Sequence, residues 1–499
     1  IVTGYRGSIE ASLDRKREAN AFIDVVTAED VGQFPDKNIA DSLQRVPGIV
    51  IDRDGGEGAR VSIRGLSSNL TLTQLNGNYI ASAGTLTGSA DPSRSFNYVL
   101  LPSNMIARVD VYKSPEARLD EGGVGGTVIL RTHRPLDLEA WSGFVSVEGT
   151  YADATGKVEP SFGGQLSWHN DAGTIGFLVG ATYQKRTVRE MAGSTESWQW
   201  WADGGRGGDT QATDVNGSTY ANDSAIPYWP ENTGQTTVGG THYSGYWAPQ
   251  SVNESINIDR RKRVGIQATL ELKPTSDLHI TANYFRFQLS HDTIGNTIKI
   301  PEWGYGAGFF TDAKFDKSGT VMQSAAFALP ADGTGCLADT PICTMETPQI
   351  RGTVSEEKDV SNTFDAHLEW AHDRLDVSVV GGYTRATGGP SLQFHAAAKP
   401  RLTGDVTRNG NALSQWDFSG GRLVDTFSTD LLSNLQSGIA QIDQGLPSTG
   451  SSYTNSRVSQ KYAQVDVTRH FGSILDSLQI GAKWRDGEIR RTTGELNWY

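Results

Sequence analysis

The sequence predicts a small mixed α+β domain followed by the strands of a transmembrane antiparallel β-barrel. Two observations carry that expectation. Beyond about residue 135, apolar and polar residues alternate in nine stretches, and the connections between those stretches are alternately short and long. Apolar-out with polar-in is the inverse of a soluble core, and it suits a lipid-facing wall around a wet lumen.

The composition is compatible with that class and excludes others. The chain has 499 residues, too many for one ordinary compact core. Glycine is abundant at 57 residues and only 37% of residues are hydrophobic. No run of 18 apolar residues occurs, so no transmembrane helix is expected. A barrel strand needs only about ten alternating residues to cross a bilayer, which keeps average hydropathy low. The net charge of -13 argues against a nucleic-acid partner, because phosphate binding needs a basic stripe. The densest basic run, Arg260 to Arg263, heads an alternating strand and reads as strand-end charge at a membrane interface. The two cysteines, Cys336 and Cys343, lie in a Gly/Asp/Pro-rich stretch and read as one loop disulfide in an oxidising compartment. The chain starts at Ile1 with no leader segment, as a mature or trimmed sequence does.

The first region, to about residue 135, alternates short elements. Thr27-Ala28-Glu29-Asp30 has a capping-box pattern and predicts a helix start. Pro35-Asp36 opens a second helix, with Ile39, Leu43 and Val46 at i, i+4 and i+7, which Pro47-Gly48 ends. Ile49 to Ile51 predicts a strand, and Asp52 to Gly58 a tight acidic turn. Arg60 to Gly65, Leu72 to Ile80, Ile106 to Tyr112 and Val128 to Leu130 predict further strands.

In the second region the stretches are 141–151, 161–169, 175–183, 264–272, 278–284, 364–370, 375–383, 464–470 and 478–484. The turns 169–173, 273–277, 371–374 and 470–473 are short, whereas 187–256, 290–359 and 387–458 are long. If the first strand rises from the periplasmic side, every short turn falls on that side and every long segment on the outer side. Outer-membrane barrels follow that rule. Nine strands is an odd number, and Leu496 to Tyr499 do not alternate like a closing strand. An open edge cannot sit in lipid, so the barrel is expected to continue beyond the sequence in hand.

With those residues in view, the first region resembles the plug of TonB-dependent outer-membrane receptors. Asn38 to Ile49 resembles the family's helix-to-strand passage ending in Pro-Gly-Val, and Val61 to Gly65 its Ile-Arg-Gly strand. Ile106 to Lys113 resembles its Ile-Glu-Arg-Val-Glu-Val segment, and Glu121 to Val128 the glycine-rich close of the plug. Lys113-Ser114-Pro115 stands where Arg-Gly-Pro is usual, and Gln74 to Gly77 where a Val-Asp-Gly turn is usual; both resemble variants of the Caulobacter/Xanthomonas-type subfamily. The resemblance implies a Ton-box remnant and linker at 1–19, a plug at 20–135, and the N-terminal portion of a barrel of about 22 strands at 136–499. It implies an importer and not an enzyme, with no cofactor, set in outer-membrane lipid. Its partners would be TonB with the ExbB/ExbD energising complex, pairing by strand addition with Ile1, Val2 and Thr3.

The candidate contacts follow. The outer segments are rich in aromatics, among them Trp200, Trp201, Trp229, Trp247 and Trp303, whose flat faces beside Asp, Asn and Gln suit stacking on sugar rings. Packing within the loops and membrane-interface belts use the same residue types. Asn69 and Arg94, in plug loops on the outer side, are expected to face the ligand. An extracellular oligosaccharide is the first expectation for the ligand. A ferric siderophore or other chelate is the second, and a passive porin-like or adhesive barrel a third reading of another class. Glycines 122–126 lack phosphate-loop spacing and predict a tight backbone path beside the barrel wall. Asp52 to Glu57 lacks the twelve-residue calcium-loop spacing and reads as a polar turn. The nine histidines are scattered, and neither H-E-x-x-H nor G-x-S-x-G is present.

Overall fold

The computed structural model describes residues 16–17, 22–27, 38–83, 95–202, 211–213, 219–221, 235–238, 241–300, 310–328, 349–398, 412–427, 448–472 and 476–498. The N-terminal domain contains β1 (Ile23–Thr27), α1 (Ile39–Leu43), β2 (Ile49–Asp54), β3 (Glu57–Ile63), β4 (Thr71–Leu75), β5 (Asn78–Tyr79), β6 (Ile106–Tyr112) and β7 (Gly126–Thr132). Five strands form a mixed sheet in the order β1-β6-β7-β4-β5, with β4 and β7 parallel; β2 and β3 make a separate hairpin. Thr27 closes β1; residues 28–37, with the rest of that capping pattern and Pro35-Asp36, lie outside the described residues. The side chain of Asn38 caps α1 by accepting from the Asp41 amide at 3.1 Å. The helix is shorter than its apolar spacing predicts: it ends at Leu43, and Val46 is buried in the turn beyond.

Two glycine turns shape this domain. Gly55 and Gly56 join β2 to β3 with φ of 54° and 79°. Asn76 and Gly77, at 53° and 88°, fold the single strand expected over 72–80 into the hairpin of β4 and β5. Positive φ at both turn residues matches the right-handed twist of a hairpin, and Gly and Asn tolerate it.

The wall begins with β8 (Trp141–Ala152), β9 (Lys157–His169) and β10 (Ile175–Ala202). Short strands β11 (Gln211–Thr213), β12 (Thr219–Ala221) and β13 (Gln235–Val238) precede β14 (Thr241–Thr275) and β15 (Leu278–Ile300). Then come β16 (Phe310–Phe315), β17 (Met322–Ala328), β18 (Gln349–His372), β19 (Leu375–Gly388), β20 (Pro390–Ala398), β21 (Ala412–Asp417), β22 (Val424–Phe427), β23 (Ser448–His470) and β24 (Ser477–Trp498). All nine expected strands are present in antiparallel sequence. Past the break at Gly389 (φ 108°), β20 takes over from β19 between β18 and β23.

Two expectations change. Within the segments 187–256, 290–359 and 387–458, the described residues are mostly strand and not loop. β10 and β14 pair continuously from Ile175–Leu272 up to Ala202–Gly245, because the backbone ladder needs no alternation to persist above a bilayer. For the same reason Leu496, Asn497 and Trp498 belong to β24 and pair with Ser451, Gly450 and Thr449.

The polarity of the wall follows the alternation. Leu270, Phe364, Val465, Ile480 and Trp484 are exposed on the outside, whereas Gln267, Thr269, Glu271, Asn283 and Asp365 are buried inside. β15 departs from this rule. Its inward Phe285, Phe287 and Leu289 are buried and belong to the hydrophobic core of the N-terminal domain, with Ile39, Leu43, Ile63, Tyr98, Val109 and Val128.

Candidate functional site

The site of interest is the seam between the N-terminal domain and the wall. Its centre is the tip of the β2–β3 hairpin. On β14 the odd-numbered residues point inward, which divides the basic run. Arg260 and Lys262 are exposed, but Arg261 and Arg263 are buried, so these two are not interface charges. Both meet Glu57, which is 1% exposed.

Three guanidiniums converge on that carboxylate. Arg186 of β10 lies 2.7 Å from Oε1. Arg261 donates to Oε2 at 3.1 Å, and Arg263 reaches both oxygens at 3.4 Å. Arg261 also donates to the Asp54 carbonyl and carboxylate, each at 3.1 Å, and to Asp259 at 2.5 Å. Gln184 receives the other side of Arg263. The glycine at 55 leaves room for this packing: a Cβ there would stand 2.8 Å from Nη2 of Arg261. Burial opposes ionisation of Glu57. The charges of Arg263, Arg186 and Arg261 outweigh it and hold the carboxyl down to about 2.

Further contacts tie the domain to the wall, a second ion pair among them. Ala81 donates its amide to Thr384 at 3.0 Å, and Ser361 donates to the Ala81 carbonyl at 2.7 Å. Asp120 accepts from Lys483 of β24 at 2.7 Å and from Gln74 at 2.9 Å. The β15 stripe supplies the apolar contact. The domain is thus tied to the inner face of the wall on β10, β14, β15, β18, β19 and β24.

Residues 15–127 match the family model described as the TonB-dependent receptor plug domain. The chain carries a TonB-dependent receptor plug. It is 31% identical over 132 residues to the iron-regulated outer membrane virulence protein of Vibrio cholerae serotype O1, covering 26% of this chain and 20% of that protein. It is 36% identical over 104 residues to the vitamin B12 transporter BtuB of Vibrio vulnificus, covering 20% of this chain and 16% of that protein. The chain thus spans a fifth or less of the length of these curated relatives. Among solved structures it is similar to the pyoverdine outer membrane receptor FpvA of Pseudomonas aeruginosa, at 11% identity and a TM-score of 0.35, covering 97% of this chain and 59% of that one. The plug, its homologues and the apolar outer face of the wall place the protein in the outer membrane.

The plug's glycine-rich close follows Asp120, which meets Lys483 on β24 of the wall. Gly125 approaches the Leu70 carbonyl and Gly126 approaches Ile63 and Tyr112, all within the plug. Asn69 is exposed in a 3₁₀ turn, Ser68–Leu70, whose Ser67 side chain accepts from the Asn69 amide. Trp247 is half-exposed high on β14, and its amide donates to Thr320 at 2.7 Å. Trp200 and Trp201 pair through their backbones with Trp247 and Tyr246. Arg94, Trp229, Trp303, Cys336, Cys343 and Ile1 to Thr3 lie outside the described residues. The structure therefore brings together a set that the sequence reading did not nominate: Glu57, Asp54, Arg186, Arg261 and Arg263.

The outer segments hold a second assembly. β16 and β17, from one outer segment, and β21 and β22, from the next, form one four-stranded sheet. Met322, Ala325 and Trp416 of that sheet pack on Tyr246, Ala248 and Val252 of β14. Trp416 stacks on Phe418 at 5.3 Å, and Trp198 meets Phe418 edge-on at 5.3 Å. These aromatics serve packing between segments.

Proposed function

We propose that this receptor actively imports a ligand too large for passive pores, driven by TonB and its ExbB/ExbD complex. One observation supports the reading: the plug's hydrophobic core is continuous with β15, so the plug is packed against the inner face of the wall and a ligand passing along that face would need it to shift. A passive porin-like or adhesive barrel would not need such a domain. Deleting residues 1–4 tests the energy source. Uptake should be lost, and uptake that survives the deletion would remove TonB from the account.

An oligosaccharide is our first reading of the ligand. Its support is the half-exposed Trp247 high on β14, an aromatic ring able to stack on a sugar. A metal chelate is the second reading, favoured by plug relatives named for iron regulation and for vitamin B12 transport. Titrating the receptor with maltodextrins, other glycans and ferric siderophores, followed by tryptophan fluorescence, separates the two. Saturable quenching by an iron chelate alone would overturn the first reading.

A further inference from the structure

We propose that the tip of the β2–β3 hairpin is a releasable latch while the β15 stripe is a fixed anchor, so that the plug opens by lifting its tip from β10 and β14. The inference rests on the import reading for its purpose, though its geometry stands apart from any cargo.

Three observations carry it. First, the two contacts differ in chemistry. Parting Phe285, Phe287 and Leu289 from the plug core exposes apolar area that water does not compensate. Parting Glu57 from its arginines returns ions to water, which recovers much of what the buried pairing gained. Arg186 is already 31% exposed, so water reaches one side of the cluster at rest.

Second, the tip has a bend built into it. The pairing of β2 with β3 shifts register between Asp52 and Arg53, leaving Ala59 as an extra residue on β3. A bulge weakens and bends the ladder at that point. Below it, Ile49, Val61 and Ile63 are core residues; above it, Asp54 to Glu57 touch the wall. Third, the hairpin is a sheet of its own, so its tip can move without breaking the five-stranded sheet.

The test uses two disulfide pairs in the membrane-embedded protein. A Cβ on Gly55 would lie 3.1 Å from Cγ1 of Val188 on β10, so Gly55→Cys with Val188→Cys can lock the latch; because that Cβ also crowds Arg261, the reduced double variant is the reference for the oxidised one. A Cβ on Gly265 would lie 2.7 Å from Cγ of Pro102, and Gly265 pairs with Phe287, so Pro102→Cys with Gly265→Cys locks the anchor region. Conductance in planar bilayers under urea reads plug opening and needs neither TonB nor cargo, so failure of the import reading leaves it intact. Oxidation of the latch pair should abolish openings and reduction restore them. Oxidation of the anchor pair should leave openings unchanged. Glu57→Gln, which folds without a new steric demand, should raise opening frequency roughly tenfold or more, because three arginines lose their shared carboxylate. Openings that persist in the oxidised latch protein, openings lost in the oxidised anchor protein, or an unchanged frequency in Glu57→Gln would each overturn the proposal.

Discussion

Gly126 turns with φ of 148° against Ile63, so that a Cβ at this position would stand 2.7 Å from Ile63 Cδ1 and 2.7 Å from the Tyr112 carbonyl oxygen. Both neighbours are in the plug interior, and the carbonyl cannot yield because β6 and β7 pair there. Gly126→Ala should therefore destabilise the plug by about 2–4 kcal/mol, from backbone strain and overpacking together. The measurement is the urea midpoint for loss of plug protease resistance. An unchanged midpoint would show that the neighbours give way.

Removing a ring from the β15 stripe tests the apolar contact. Phe285 and Phe287 lie 6.2 Å apart, nearly parallel, and are buried against the plug. Phe287→Ala should cost about 3–5 kcal/mol of plug docking through lost transfer energy and a cavity. Its effect should be insensitive to salt, unlike that of Glu57→Gln. Equal salt dependence in the two variants would mean that the stripe is not a purely apolar contact.

Acid should loosen the latch in one direction only. The Glu57 carboxyl is held down to about 2 from the ordinary 4.5, so it binds its proton more readily when the plug is detached. Its contribution is complete above about pH 4.5 and is lost as pH falls toward 2. The groups facing it are Asp54, Arg186, Arg261 and Arg263. Protease protection of the hairpin should be flat from pH 8 to 5 and fall below that, with Glu57→Gln lacking this component. A step near neutral pH would point to another group.

Trp416→Ala should loosen two outer segments at once. Trp416 is buried where β21 packs on β14, and β21 is paired with β17. Proteolytic cuts should appear within 310–328 as well as 412–427, because both hairpins depend on one core. Cuts confined to 412–427 would show that the hairpins are independent.

Much of this architecture was legible in the residues. Alternation located all nine strands, since a lipid-facing residue at every second position is a local constraint. Parity also held the identity of the latch: Arg261 and Arg263 share the inward phase of Gln267 and Thr269 on β14. The basic run hid it, because four adjacent cations read as composition before they read as phase. Glu57 gave no such hint; its partners lie more than a hundred residues away on strands that only the fold aligns. Phe285 and Phe287 break the polar-inside rule because they face a protein domain and not water. The shared sheet of β16, β17, β21 and β22 joins two outer segments, a pairing for which no local pattern exists.

The continuous pairing of β10 with β14 has a consequence for where recognition takes place. At about 3.3 Å per residue and a tilt of about 40°, a strand the length of β14 climbs roughly 90 Å, against an apolar band about 25 Å tall. Trp247 thus rides near the top of a mast, tens of ångströms beyond the lipid headgroups. At that height an aromatic ring cannot anchor the protein in its bilayer. What it touches first arrives from the surroundings of the cell.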